Sequence, residues 1–130
     1  MALRIVRLGS PRQPEEGLRL GTVRRPPRGV PKAQFASQNW YDLWFQTLAP
    51  TAPTMKLAQT AQDAAAWARF SRAYKAEMNE PHAQHALALL AALSSTSNFS
   101  VGCYCADGSR CHRSLLRGLL EGKGARIAPA

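Results

Sequence analysis

Three thiols, an imidazole and two guanidinium groups fall in one short stretch: Cys103-Tyr-Cys105-Ala-Asp107-Gly-Ser109-Arg110-Cys111-His112-Arg113. A thiolate can attack an electrophile, an imidazole can carry a proton, and guanidinium forks match phosphate or carboxylate. An apolar run from Phe99 to Tyr104 precedes the turn residues, and a leucine-rich helical pattern, Leu115-Leu116-Arg-Gly-Leu119-Leu120, follows them. That order reads as strand, tight loop, helix. The first N–H groups of a helix lack internal partners and its dipole favours negative charge, so such a loop suits anions and draws thiols toward ionisation. Cys105 and Cys111 are the candidate nucleophiles and His112 the candidate acid–base. Asp107, Ser109, Arg110 and Arg113 belong to the anion-binding turn, with Ser109 also a natural N-cap. Cys103, within the strand, reads as a small buried hydrophobe.

Two narrower chemistries fit less well. A phosphatase loop of the cysteine, five residues, arginine type is excluded, because only four residues separate Cys105 from Arg110. Cys103, Cys105, Cys111 and His112 offer a zinc-like set. Against it, adjacent Cys111 and His112 would diverge on a regular helix, and structural zinc sites space paired ligands across turns. No metal or other cofactor is therefore expected.

The elements that must position this segment can be read along the chain. Leu3 to Leu8 and Leu18 to Val23 alternate as strands, separated by the polar, proline-rich Gly9–Gly17. So short a connection favours an antiparallel pair, since parallel strands usually need a dozen or more connecting residues. A parallel pair would instead bring the loop after the second strand, Arg24-Arg-Pro-Pro-Arg28, to the rim that carries the cysteines. Arg24, Arg28 and Arg113 could then converge on one anion. The aromatic-rich Trp40–Leu48 reads as a third strand, ended by Ala49–Pro53. A helix from about Asp63 to Asn79 places Trp67, Phe70, Tyr74 and Met78 on one face, which reads as core. A second begins near Pro81, with His82 and His85 on its surface. A fourth strand, Phe99–Tyr104, leads into the last helix, Arg110 to Glu121. The expected fold is one three-layer α/β domain, 1–124, with a small mixed, partly parallel sheet of about four strands flanked by helices. Residues 125–130 are expected to form a flexible tail.

Composition bounds the function. The 130 residues suit a single core, and no stretch approaches the roughly 20 apolar residues of a membrane helix. There is no apolar leader after Met1, and the odd, clustered cysteines do not look like a secreted disulfide framework, so a cytoplasmic location is expected. The formal charge of +9 is concentrated in residues 1–32, where eight basic residues face two acidic ones. That bias favours polyanionic partners.

The combination resembles the YeaO-like branch of an uncharacterised bacterial family. Val23-Arg24-Arg-Pro-Pro-Arg28-Gly-Val30 is similar to a family segment with an Asp-Arg pair followed by Trp-Pro-Arg-Gly. Trp44 to Thr51, Phe70 to Tyr74 and Glu77 match its middle region, and Cys105-Ala-Asp107 to Cys111-His112-Arg113 its Cys-acidic-Cys-His-Arg stretch. Val23 (or Thr22) stands where the family has aspartate, and Pro26 where it has tryptophan. The resemblance implies a three-layer α/β fold with its site at these loops, and no established activity. Residues and resemblance together point to an anion pocket for a phosphate-bearing small molecule or nucleotide, with a thiol available for catalysis. A non-catalytic nucleic-acid-binding protein is the alternative, and a zinc- or redox-responsive module comes third.

Overall fold

The structure, a computed structural model, describes residues 1–105 and 111–129. Four strands, β1 (Leu3–Arg7), β2 (Leu18–Gly21), β3 (Leu43–Trp44) and β4 (Phe99–Cys103), form one sheet in the order β1-β4-β2-β3. Every pairing is parallel, with Leu3 to Arg7 aligned on Phe99 to Cys103 and Leu18 to Gly21 on Phe99 to Gly102. The antiparallel relation favoured for the first two strands is therefore corrected. β1 and β2 do not pair with each other; β4 lies between them. An extended chain covers roughly 3.3–3.6 Å per residue, so the segment from Leu8 to Gly17 is long enough to run back beside a five-residue strand without a helix.

Helices α1 (Ala52–Thr60), α2 (Ala64–Met78), α3 (Pro81–Leu93) and α4 (His112–Gly122) complete the domain. The third strand is shorter than the aromatic run suggested. Only Leu43–Trp44 pair with β2, and Gln46–Leu48 turn into a 3-10 helix. Helix α1, with Pro53 in its first turn, starts within the Ala49–Pro53 break and fills a stretch to which the sequence assigned no element. α2 matches its predicted span: Asp63 caps it through Ala66 N–H (2.7 Å), and Phe70, Tyr74 and Met78 are buried.

Strand alternation sends the two sides of the sheet to different covers. Leu3, Leu20, Phe99 and Val101 pack with Phe70 and Tyr74 of α2, Leu87 and Leu90 of α3, and Leu116 and Leu120 of α4. The opposite side carries Arg19 and Ser100, and loops cover it instead of helices. Buried Arg19 donates to Glu16 Oε2 (2.7 Å) and Oε1 (3.0 Å), and to the carbonyls of Ser10 (2.9 Å) and Asn39 (2.7 Å). Ser100 Oγ donates to Glu16 Oε2 (2.7 Å). Arg12 clamps Asp42 with two bonds (2.8 and 3.1 Å), and Asp42 also accepts from Arg19 N–H (2.7 Å). The third layer is thus a pair of loops, Gly9–Gly17 and Phe35–Asp42, sewn to the sheet by a buried guanidinium.

In the segment expected to be a loose tail, Arg126–Ala128 run beside β1. Leu3 N–H donates to Arg126 O (2.9 Å), and Ala128 N–H donates to Leu3 O (2.8 Å). Half-buried Ile127 packs against the core, which gives this end an apolar anchor.

Candidate functional site at the carboxyl rim

Because all strands run the same way, the segments after β1, β2 and β4 meet at one edge. Open α/β sheets bind ligands along that edge. A cavity of about 560 Å³ lies there, lined by Arg7–Ser10 after β1, Arg25–Arg28 after β2, Trp40, and Tyr104 after β4. That volume falls within the usual range for small-molecule sites. Among the described lining residues three are arginines and none is acidic. Trp40 and Tyr104 meet edge to face, ring centres 5.9 Å apart. Tyr104 donates its hydroxyl to Arg25 O (2.7 Å), which ties the arginine loop to the end of β4. Burial, with a smaller contribution from neighbouring Tyr41, raises the Tyr104 hydroxyl well above its ordinary range, so it remains a donor at neutral pH. Gly9, at φ 90°, lets the chain turn tightly against the Trp40 ring; a Cβ there would come within 2.9 Å of it.

The arginines expected to converge separate. Arg28 is exposed and lines the rim cavity. Arg24 donates to Pro50 O (3.0 Å) and borders a cavity that also holds Glu77 and Glu80. Glu77 is engaged there by Thr51 and Thr54 hydroxyls (2.6 Å each) at the start of α1. Arg113 is buried, donating to Val6 O at the end of β1 (3.2 Å). It ties α4 to the sheet. Arg7 and Arg25 line the rim cavity with Arg28. Asp107, Ser109 and Arg110 lie outside the described residues.

Beneath the rim, Cys103, Cys111 and His112 are buried together, their ligand atoms all within 4.8 Å of one another. Cys111 is the N-cap of α4, in extended conformation (φ −136°, ψ 153°). The helical divergence expected of Cys111 and His112 therefore does not apply, and Cys111 Sγ lies 3.8 Å from His112 Nδ1. Cys103 and Cys111 are paired as a disulfide in this structure. His112 Nε2 is 2.6 Å from Thr22 O, and a carbonyl only accepts, so Nε2 carries the proton and Nδ1 presents its lone pair to the sulfurs. Burial lowers the imidazole pKa to about 4; the Thr22 bond opposes the fall and nearby Arg113 adds to it. Buried Cys111 and His112, both candidates for catalysis from sequence, are removed from solvent, whereas Cys105 is half-buried.

A family model described as the active DUF488-N3 subclade matches residues 3–124. The chain belongs to the DUF488 family. No curated protein and no solved structure matches it. In this DUF488 domain no described helix is long and apolar enough to cross a membrane.

Sequence reasoning missed Arg7, Arg25 and Tyr104 as rim residues, and Glu16 with Arg19 as a buried pair. A parallel register would have signalled the first group. Nothing local marks the second, since both residues are of types that normally face water. Tyr41 was missed as well. It packs with Leu8, Val23, Cys103 and Cys111, and its buried hydroxyl has no partner among the described residues. An unpaired buried hydroxyl is unfavourable. Tyr41→Phe should therefore leave the thermal midpoint unchanged or raise stability by up to about 1 kcal/mol. A clear loss of stability in denaturant titration would show that the hydroxyl is bonded.

Proposed function

We propose that this DUF488 domain binds a phosphate-bearing ring compound, a nucleotide or a nucleotide unit of a nucleic acid, in the rim cavity. The observation that carries the reading is the composition of that cavity: Arg7, Arg25 and Arg28, with no carboxylate among the described lining residues, beside the Trp40–Tyr104 pair. Guanidinium forks suit phosphate oxygens, and an aromatic wall suits a base. Cys105, the residue after Tyr104, is the half-buried thiol at this edge. A covalent step on a bound ligand would therefore fall to Cys105, not to buried Cys111.

Calorimetry on the whole chain at low salt tests this. Adenosine monophosphate should bind more tightly than inorganic phosphate or adenosine alone. Arg25 and Arg28 are exposed, so removing them spares the core. Arg25→Ala and Arg28→Ala should each weaken the nucleotide by roughly tenfold or more, as expected for a lost charge-assisted hydrogen bond of about 1.5–3 kcal/mol. A single-stranded oligonucleotide binding with a steep salt dependence, and the mononucleotide not at all, would assign the cavity to nucleic acid. Absence of binding by all these ligands would sink the proposal.

A further inference from the structure

We propose that Cys103, Cys111 and His112 form a site for a divalent ion of the zinc class, held by two thiolates and the Nδ1 atom of His112. This inference uses no residue lining the rim cavity and stands or falls separately from the ligand proposed there.

Three features of the cluster support it. First, ligand atoms around a tetrahedral zinc ion stand about 3.3–3.8 Å apart, given metal–sulfur and metal–nitrogen bonds near 2.3 and 2.0 Å. Cys111 Sγ and His112 Nδ1 already lie at 3.8 Å, with Cys103 Sγ in the same group; the two sulfurs, paired in this structure, part on reduction to admit the ion. Second, His112 is oriented as metal-bound histidines are. One ring nitrogen donates to a backbone carbonyl, Thr22 O, and the other faces the sulfurs. Third, the Cα atoms of Cys103 and Cys111 stand 7.7 Å apart, wider than the roughly 4.4–6.8 Å that disulfide-bonded pairs usually span. That spacing suits two sulfurs turned toward a common centre.

Charge agrees with geometry. All three residues are buried. Two thiolates and a neutral imidazole cancel the charge of a divalent ion, which is the condition for holding it away from water. Thiolate and imidazole donors select zinc over magnesium or calcium, which prefer oxygen. A thiol reductant first supplies two electrons and two protons to the Cys103–Cys111 pair; binding then replaces two S–H bonds by two S–metal bonds and releases two protons. Three protein ligands leave the fourth tetrahedral position to water or another donor. Placed at the end of β4 and the start of α4, the ion would join the two elements that frame the rim.

The test uses the whole chain, reduced, stripped by a chelator and titrated anaerobically with cobalt(II). The expected result is a thiolate-to-cobalt charge-transfer band with intense tetrahedral d–d bands, saturating at one cobalt per chain and lost on adding zinc. Cys105→Ser should give the same spectrum, and Cys111→Ser should lose roughly half of the charge-transfer intensity or more. The wild-type spectrum is decisive even where Cys111→Ser does not fold. A wild-type protein that stays colourless, a band undiminished in Cys111→Ser, or one abolished by Cys105→Ser would each overturn the proposal. So would thiol counting that finds a single reactive thiol per chain after reduction.

Discussion

Arg19→Met will lower the unfolding free energy by about 3–5 kcal/mol, the loss that follows when one member of a buried ion pair is removed and the other stays. Arg19 and Glu16 are 0 % and 1 % exposed. Without the guanidinium, Glu16 keeps only Ser100 and the weaker Gln13 N–H (3.3 Å), and the Ser10 and Asn39 carbonyls lose their donor. Small domains are stable by only about 5–15 kcal/mol, so the variant should lie near its unfolding threshold at 37 °C. Because a matched apolar pair escapes the unpaired-charge penalty, Glu16→Met with Arg19→Met should cost less than the sum of the single variants. Simple addition in urea titrations would contradict the coupling.

The same pair sets an acid dependence. Burial alone would raise the Glu16 pKa, but bonds from Arg19, Ser100 and Gln13 and the charge of Arg19 outweigh it, leaving the carboxyl below its ordinary 4.5. A carboxyl depressed on folding stabilises the native state above its unfolded pKa. That contribution is lost as pH falls through the lower, folded value. Stability should therefore decline below about pH 4.5, and Glu16→Gln should flatten this limb while lowering the plateau at neutral pH. An acid limb as steep in Glu16→Gln as in wild type would reject the assignment.

Gly17→Ala is the second large effect expected, a loss of about 3 kcal/mol or more from backbone strain and overpacking together. Gly17 has φ 77°, a region costly for any residue with a Cβ, and that Cβ would collide with the Asn98 carbonyl. The clash is with backbone, so no rotamer change relieves it. Its position beside Glu16 and before β2 means that relaxation would disturb the buried pair as well. Denaturant titration should show a lower midpoint with an unchanged slope. A cost below about 1 kcal/mol would mean that the loop adapts freely.

Periodic and punctuated features were legible in the sequence. Phe70, Tyr74 and Met78 occupy the buried face that their spacing assigned them, and Phe99 to Cys103 form a strand and His112 to Gly122 a helix, as the apolar run and leucine pattern indicated. Relations between distant segments were not legible. Parallel pairing of β1 and β2 with β4 depends on which strand enters last between them, and no local signal records that. The rim inherits the same difficulty: Arg24 and Arg25 are adjacent in sequence, yet one reaches Pro50 and the other lines the cavity. The Cys111–His112 pair was misjudged for a local reason. Side-chain divergence holds inside a helix, and Cys111 sits one residue before it.

The most direct test of the proposed ligand cavity is a two-dimensional amide and indole NMR titration of the whole chain with adenosine monophosphate. Saturable shifts are predicted at Arg7–Ser10, Arg25, Arg28, the Trp40 indole and Tyr104, with Gln46, Thr47 and Glu80 beside the Arg24 cavity unmoved. Shifts centred on the Arg24 cavity, or none at any concentration reached, would contradict it.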